Sequence, residues 1–225
     1  MAQPDWQVAA ALLDPVRRAL YEHVRRQQHP VTREEAAEAQ DISRNLAAFH
    51  LDKLVEAGLL RARYEAPTDQ PRGRGRAPKV YEVASGGLML SVPPRRYELL
   101  GELLADAVAA EPTNAASAAL RLAYARGHRI GEGNGPGPAA NPAVQLTAAR
   151  SVIETLGFEP AITAEPGLTL GNCPFHPLAA RHPELVCGLN HAFLAGLLAG
   201  IGADRLQAQL SPAPGRCCVI ITPAG

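Results

Sequence analysis

Three helix-start signals follow one another between Asp14 and Arg44, and that succession constrains the fold more than any other feature of the chain. In "LLDPVRRALYEHV" Asp14 is placed to accept an orphan amide, and Pro15 supplies the fixed φ of a first turn. Val16, Leu20 and Val24 then recur at every fourth residue, which predicts an apolar stripe on a helix. Thr32 and Glu35 have the spacing of a capping box ahead of "EEAAEAQ". After a short "DIS" turn, "SRNLAAFHLDKLVEAGLL" predicts a third helix. Ala47, Leu51, Leu54, Val55 and Gly58 fall on one side of it, and Asn45, Phe49 and Lys53 on the other. Two compact helices, a tight turn and a further helix predict a helix-turn-helix, whose third helix is the candidate reader of a major groove.

The next stretch adds a wing. "LLRARYEAP" and "KVYEVA" read as strands, and between them "TDQPRGRGRAPK" carries Arg72, Arg74, Arg76 and Lys79. Its glycines let the backbone approach a phosphate chain, and its arginines reach phosphates or a narrow minor groove. A basic loop alone is often only a solvated tip, and residues 1–93 hold 13 basic against 12 acidic residues. The loop gains its meaning from following three capped helices.

"LLDPVRRALYEHV", "ISRNLAAFHLDKLVEAGLL" and "GRGRAPKVYEV" resemble the winged-helix half of arsenic-repressor-type transcriptional regulators. The likeness covers about the first ninety residues. It implies that Ser43, Arg44 and Asn45 approach the groove of an operator in double-stranded DNA at the helix start. Phe49, His50 and Lys53 follow along the same approach. Each also has a structural reading. Ser43 can cap the helix and His50 can pack at the edge of the buried stripe, whereas an exposed Phe49 suits contact with a thymine methyl.

In the middle of the chain, "PPRRYELLGELLADAVAA" predicts a helix with Tyr97, Leu100, Leu104 and Val108 in line, and "TNAASAALRLAYARGHRI" predicts another. Regulators of this type bind two half-sites as homodimers, so a dimerisation arm is expected here; cover for the C-terminal domain is the alternative. "GEGNGPGPAANPAVQ", Gly131 to Gln145, reads as a loop or linker. No strand precedes it and no Gly-Lys-Ser/Thr ends it, which argues against a phosphate cradle.

From Leu146 the pattern turns to a small sheet with packed helices, giving an α+β fold overall. The expected organisation is a winged helix-turn-helix domain at 1–93, a helical arm and loop at 94–145, and a cysteine-containing sensor domain at 146–225. All four cysteines fall in that last part. Cys173 closes one predicted strand, Cys187 lies in the first turns of "HPELVCGLNHAFLAGLLAGIG", and Cys217 and Cys218 open the last strand. Successive strand residues face opposite ways, so one of Cys217 and Cys218 is expected to bind and the other to pack, unless a bulge intervenes. His191 follows Cys187 by one helical turn, a spacing that suits two ligands of one metal, and His176 follows Cys173 in a loop. Thiolates delivered by separate elements suit an iron–sulfur cluster, with zinc or another divalent metal as the alternative.

"NCPF", "HPELVCGLN" and the late "CC" are similar to the C-terminal half of the family of iron–sulfur-binding repressors that control the suf cluster-assembly operon. The resemblance implies Cys173, Cys187 and one of Cys217 or Cys218 as ligands. Where some members carry a further cysteine, this chain has Asn172, Pro174 and His176, which leaves His176, His191 or an outside group for a fourth position. A C-terminal half that senses a small molecule without a cluster, or is an enzyme with Cys187 as nucleophile, is the remaining alternative; no Asp or Asn is seen to fix a histidine as base, so no enzyme is expected. "MAQPDWQVAA" has no secretory pattern and no run of membrane-spanning length stands out, so a cytoplasmic protein without membrane contact is expected. Balanced charge, 22 basic against 22 acidic residues, argues against a protein coated in nucleic acid. Aromatic content of 4% argues against a platform for stacked single strands.

Overall fold

The computed structural model describes residues 6–65, 77–84, 90–138, 140–163 and 167–224. The chain divides into two compact units, Ala2–Leu90 and Ser91–Gly225. The stretches 94–145 and 146–225, which the sequence reading separates, therefore belong to one unit.

In the first unit, α1 (Trp6–Ala11) precedes α2 (Pro15–Arg26), β1 (Val31–Thr32), α3 (Arg33–Ala39), α4 (Arg44–Glu56), β2 (Leu60–Tyr64) and β3 (Lys79–Val83). The helix starts are set by the residues the sequence nominates. Asp14 Oδ1 accepts from Arg17 N at 2.9 Å, Thr32 Oγ1 from Glu35 N at 3.1 Å, and Ser43 Oγ from Leu46 N at 3.2 Å. The capping box is only half closed, because the Glu35 carboxylate pairs with His29 Nε2 at 2.9 Å. Asp41 makes the tight turn between α3 and α4 at φ 52°, a left-handed conformation that a short polar side chain tolerates. Gly58, at φ 74°, stops α4: its N–H donates to Val55 O, and Leu59 N returns to Leu54 O at 2.9 Å. Leu20, Val24, Val31, Leu51, Leu54 and Tyr81 form the core, each aliphatic contributing roughly 1.5–3 kcal/mol by its burial. β1 and β2 flank β3 in an antiparallel sheet, with Val31 opposite Tyr81 and Ala62 opposite the same residue. The two-residue β1 and the helix α1 went unforeseen.

The second unit holds α5 (Tyr97–Ala110), α6 (Ala115–Gly131), α7 (Pro142–Thr155), β4 (Pro160–Ile162), β5 (Leu168–Leu170), α8 (Leu178–Arg181), α9 (Pro183–Ile201), β6 (Leu206–Leu210) and β7 (Val219–Pro223). Its antiparallel sheet has the order β4-β5-β7-β6. α9 is the central helix, burying Val186, Leu189, Phe193, Leu194, Leu197, Leu198 and Ile201. By length and composition it is apolar enough to cross a membrane, contrary to the sequence expectation, and half of it is buried inside the unit.

α6 lies against α9 at main-chain distance. A Cβ placed on Gly127 would stand 2.0 Å from Phe193 O, on Gly196 2.0 Å from Tyr124 O, and on Gly200 2.1 Å from His128 O. Residues spaced by four share a helix face, so Gly127 and Gly131 admit the main chain of α9 at Phe193 and Leu197, while Gly196 and Gly200 admit that of α6 at Tyr124 and His128. α6 thus packs within the C-terminal unit. The stripe on α5 is also rotated from expectation. Leu100, Leu103 and Ala107 are buried, and Val108 is exposed.

The glycine- and proline-rich segment is shorter than its composition suggests. α7 begins at Pro142, capped by Asn141 Oδ1, which accepts from Val144 N at 2.9 Å. Gln145, read as the end of a linker, is fully buried. Its Nε2 donates to Asp204 Oδ1 at 2.9 Å and Gly202 O at 3.2 Å, and its Oε1 accepts from Arg205 N at 3.2 Å. Those long-range bonds pin the segment to the end of α9.

Candidate functional site

The first unit presents the outer face of α4. Ser43 acts as the cap, with Arg44 and Asn45 exposed directly after it. Phe49 is 54% exposed, and its ring stands edge-on to that of His50 at 5.2 Å. Leu46, at 40% exposure, lies one turn before Phe49 on the same face and was not singled out from the sequence. An exposed apolar pair on a capped helix is the signal that would have found it. His50 is buried, and its Nδ1 has no hydrogen-bond partner, so its side chain belongs to the packed side of α4 rather than to the outer face. Lys53 Nζ pairs with Glu56 at 2.6 Å.

Of the basic residues read as a wing, Arg72, Arg74 and Arg76 lie outside the described residues. Lys79 belongs to β3, and its Nζ donates to Asp52 Oδ1 of α4 at 2.6 Å. Tyr81 Oη donates to the same oxygen at 2.9 Å. Burial first, then the bond to Asp52 and its charge, pushes the Tyr81 phenol well above its usual range. Arg61 and Arg63 of β2 both pair with Glu82 across the sheet, so these strand arginines are partly neutralised.

The second unit gathers the cysteines. All four are free thiols. Cys173 lies in the loop three residues past β5 rather than at its end, and the turn before β7 holds Cys217 and Cys218. Strand alternation therefore does not separate the last two. Cys217 lies beside the segments that carry two of the others: its N–H bonds Leu170 O, three residues before Cys173, and its Sγ accepts from Asn190, one turn past Cys187 on α9. The expectation that one late cysteine merely packs rested on their being strand residues, and they are not. Among the described residues, no three or more His, Cys, Asp or Glu side chains are disposed around one point as a metal ion needs.

Neighbouring groups brace this array. Arg95 Nη1 donates to Cys173 O at 2.7 Å and to Asn172 Oδ1 at 2.8 Å. Asn172 Nδ2 in turn donates to Gly157 O at 2.6 Å, and Tyr97 Oη donates to His176 O. Cys217 N donates to Leu170 O at 2.8 Å, and Arg216 joins Cys217 O to Ser211 Oγ. Asn190 Nδ2 donates to Cys217 Sγ at 3.1 Å. Asn190 and Arg95 were missed because each acts across a large sequence separation.

His176 is exposed, and His191 Nε2 bonds Ala208 O at 3.0 Å. The thiols of Cys173, Cys187 and Cys217 resist ionisation. The bond to Cys217, followed by burial, drives the Cys173 thiol far up. Burial raises Cys187, opposed by its contact with Cys218. Cys217 is lowered by the Cys173 thiol, but Cys218 and burial prevail and bring it to about 11.

A helix-turn-helix domain family matches residues 12–63, from the end of α1 through β2. No curated protein and no solved structure matches the chain.

Proposed function

The helix-turn-helix domain supports a DNA-binding transcriptional regulator, and we propose that its operator affinity is switched by an iron–sulfur cluster in the C-terminal unit. The reading is supported by the placement of Cys217, whose N–H donates to Leu170 O, three residues before Cys173, and whose Sγ accepts from Asn190 Nδ2, one turn past Cys187. Cys173, Cys187, Cys217 and Cys218 would hold the group, and it would supply one-electron chemistry and sensitivity to oxidants. His191 is a further candidate donor, because an Nε2–H given to the Ala208 carbonyl would fix the tautomer that leaves Nδ1 as the nitrogen able to ligate.

Switching requires that two conformations of the protein bind the group unequally. Holding it would tie the three cysteine-bearing segments together, and losing it would free them. On the DNA side, Arg44 and Asn45 approach the groove at the start of α4, and Phe49 offers an apolar surface to a thymine methyl. Lys53, Lys79 and the arginines at 72, 74 and 76 complement phosphate. A symmetric dimer, binding half-sites about 34–36 Å apart, completes the reading.

The test is iron and acid-labile sulfide analysis of protein purified without oxygen, beside Cys173→Ser, Cys187→Ser, Cys217→Ser and Cys218→Ser variants. The reading expects a brown protein whose iron and sulfide fall in the variants and whose operator binding changes on oxidation. Stoichiometric zinc without sulfide would replace the cluster by a divalent metal at the same residues. Operator binding that ignores metal content would remove the switch. Sedimentation at working concentration decides the dimer.

A further inference from the structure

The outward side of α4 carries two large apolar residues, Leu46 and Phe49, both exposed. The core does not use them, since Ala47, His50, Leu51 and Leu54 are the residues this helix buries. Both are nonetheless held in place. Leu46 sits in the first turn, where its N–H donates to Ser43 Oγ at 3.2 Å, and the Phe49 ring stands edge-on to that of buried His50. The two carboxylates of the helix are each paired with a lysine, Asp52 with Lys79 and Glu56 with Lys53, both at 2.6 Å. The face therefore turns no bare negative charge toward a phosphate chain. The matched helix-turn-helix span, residues 12–63, contains the whole of α4. That continuity favours duplex DNA over a second copy of the chain as what covers the apolar pair.

We propose that Leu46 and Phe49 act together as specificity determinants, reading the methyl groups of thymines on two neighbouring base pairs of the operator. This rests on the DNA-binding reading above and is independent of any group at the cysteines. Neither side chain has a donor or acceptor, so neither can read a base edge by hydrogen bonding. The apolar feature that base edges offer in the major groove is the thymine C5-methyl. Three residues advance an α-helix by about 4.5 Å, which is of the order of the roughly 3.4 Å between successive base pairs. The two side chains therefore suit methyls on adjacent pairs rather than one methyl shared between them.

The experiment selects a binding site for the full chain from a pool of random-sequence duplexes. Each thymine of that site is then replaced by deoxyuridine, which removes the methyl and nothing else. Anisotropy titrations at fixed salt are expected to show two adjacent positions where uracil weakens binding by about fourfold each, the factor for burying one methyl-sized group. Leu46→Ala should abolish the uracil penalty at one of these positions and Phe49→Ala at the other, as contacting pairs do in a double-mutant cycle. A merely structural loss would weaken thymine and uracil duplexes alike and keep both penalties. Both side chains are exposed, so the variants are expected to fold, and melting curves check this. If one variant fails to fold, the parent chain and the other variant decide. Penalties absent from the parent, or unchanged in the variants, would overturn the proposal while leaving DNA binding intact. So would binding without an enriched sequence. Absent penalties together with loss of self-association in the variants would give the face to a second copy. A chain that binds no duplex at all would end the DNA-binding reading as well.

Discussion

Asp52 of α4 and Lys79 of β3 are joined at 2.6 Å, and Tyr81 donates to the same carboxylate oxygen. One acceptor thus ties the candidate reader helix to the strand that leads out of the wing. Asp52→Ala should destabilise the first unit by about 1–2 kcal/mol, chiefly by leaving the buried Tyr81 hydroxyl without its partner. The exposed Lys79 pair contributes less. Urea unfolding checks this, and Lys79→Met should lose markedly less than Asp52→Ala.

The Asp14 cap carries a pH signature. The backbone N–H of Arg17 is the main cause holding its carboxyl below the usual 3.8, with the Arg17 charge adding to it against burial. A depressed folded value means the stabilisation is present above 3.8 and is lost as pH falls through the folded value. Asparagine caps equally well without the charge. The parent chain should therefore exceed Asp14→Asn in stability near neutral pH, and the two should converge in acid. Parallel melting curves across that range would show a constant gap if the idea were wrong.

Two glycine substitutions should move stability in opposite directions. Alanine at Gly101 of α5 meets nothing within 4 Å, so helix propensity alone should stabilise by about 1 kcal/mol. Alanine at Gly196 places a methyl 2.0 Å from Tyr124 O, which is main chain and cannot step aside. Overpacking there should outweigh the propensity gain and cost at least about 3 kcal/mol or prevent folding. Calorimetry of the pair separates packing from propensity.

Operator binding should divide the outer residues of α4 by mechanism. Phe49→Ala should weaken specific binding by about tenfold at fixed salt and leave the salt slope unchanged, as loss of an apolar base contact does. Arg44→Ala should reduce the slope by about one. Anisotropy titrations at several salt concentrations measure both, and identical slopes for Arg44→Ala and the parent would remove Arg44 from the phosphate contacts.

The first unit was legible wherever the signal was local. Asp14, Thr32 and Ser43 cap from within three residues of the amides they satisfy, and Gly58 stops α4 by its own conformation. Legibility ended where partners come from far along the chain. On α5 the helical period allows two stripes, and packing against α6 selects Leu103 and Ala107 over Leu104 and Val108. Gln145 looked like linker because its partners lie 57 to 60 residues away. Cys217 and Cys218 were assigned to a strand that in fact starts at Val219, and the alternation argument failed with that boundary. Gly127, Gly196 and Gly200 gave no sign of their role, since a glycine in a helix reads as a weak point until its neighbour is known.

Because α6 and α9 touch backbone to backbone, there is no layer of rotatable side chains between them to absorb a shift. Together they form one stiff double rod, with Cys187 mounted near one tip. A displacement of that tip is expected to carry both members together, although α6 owns no cysteine.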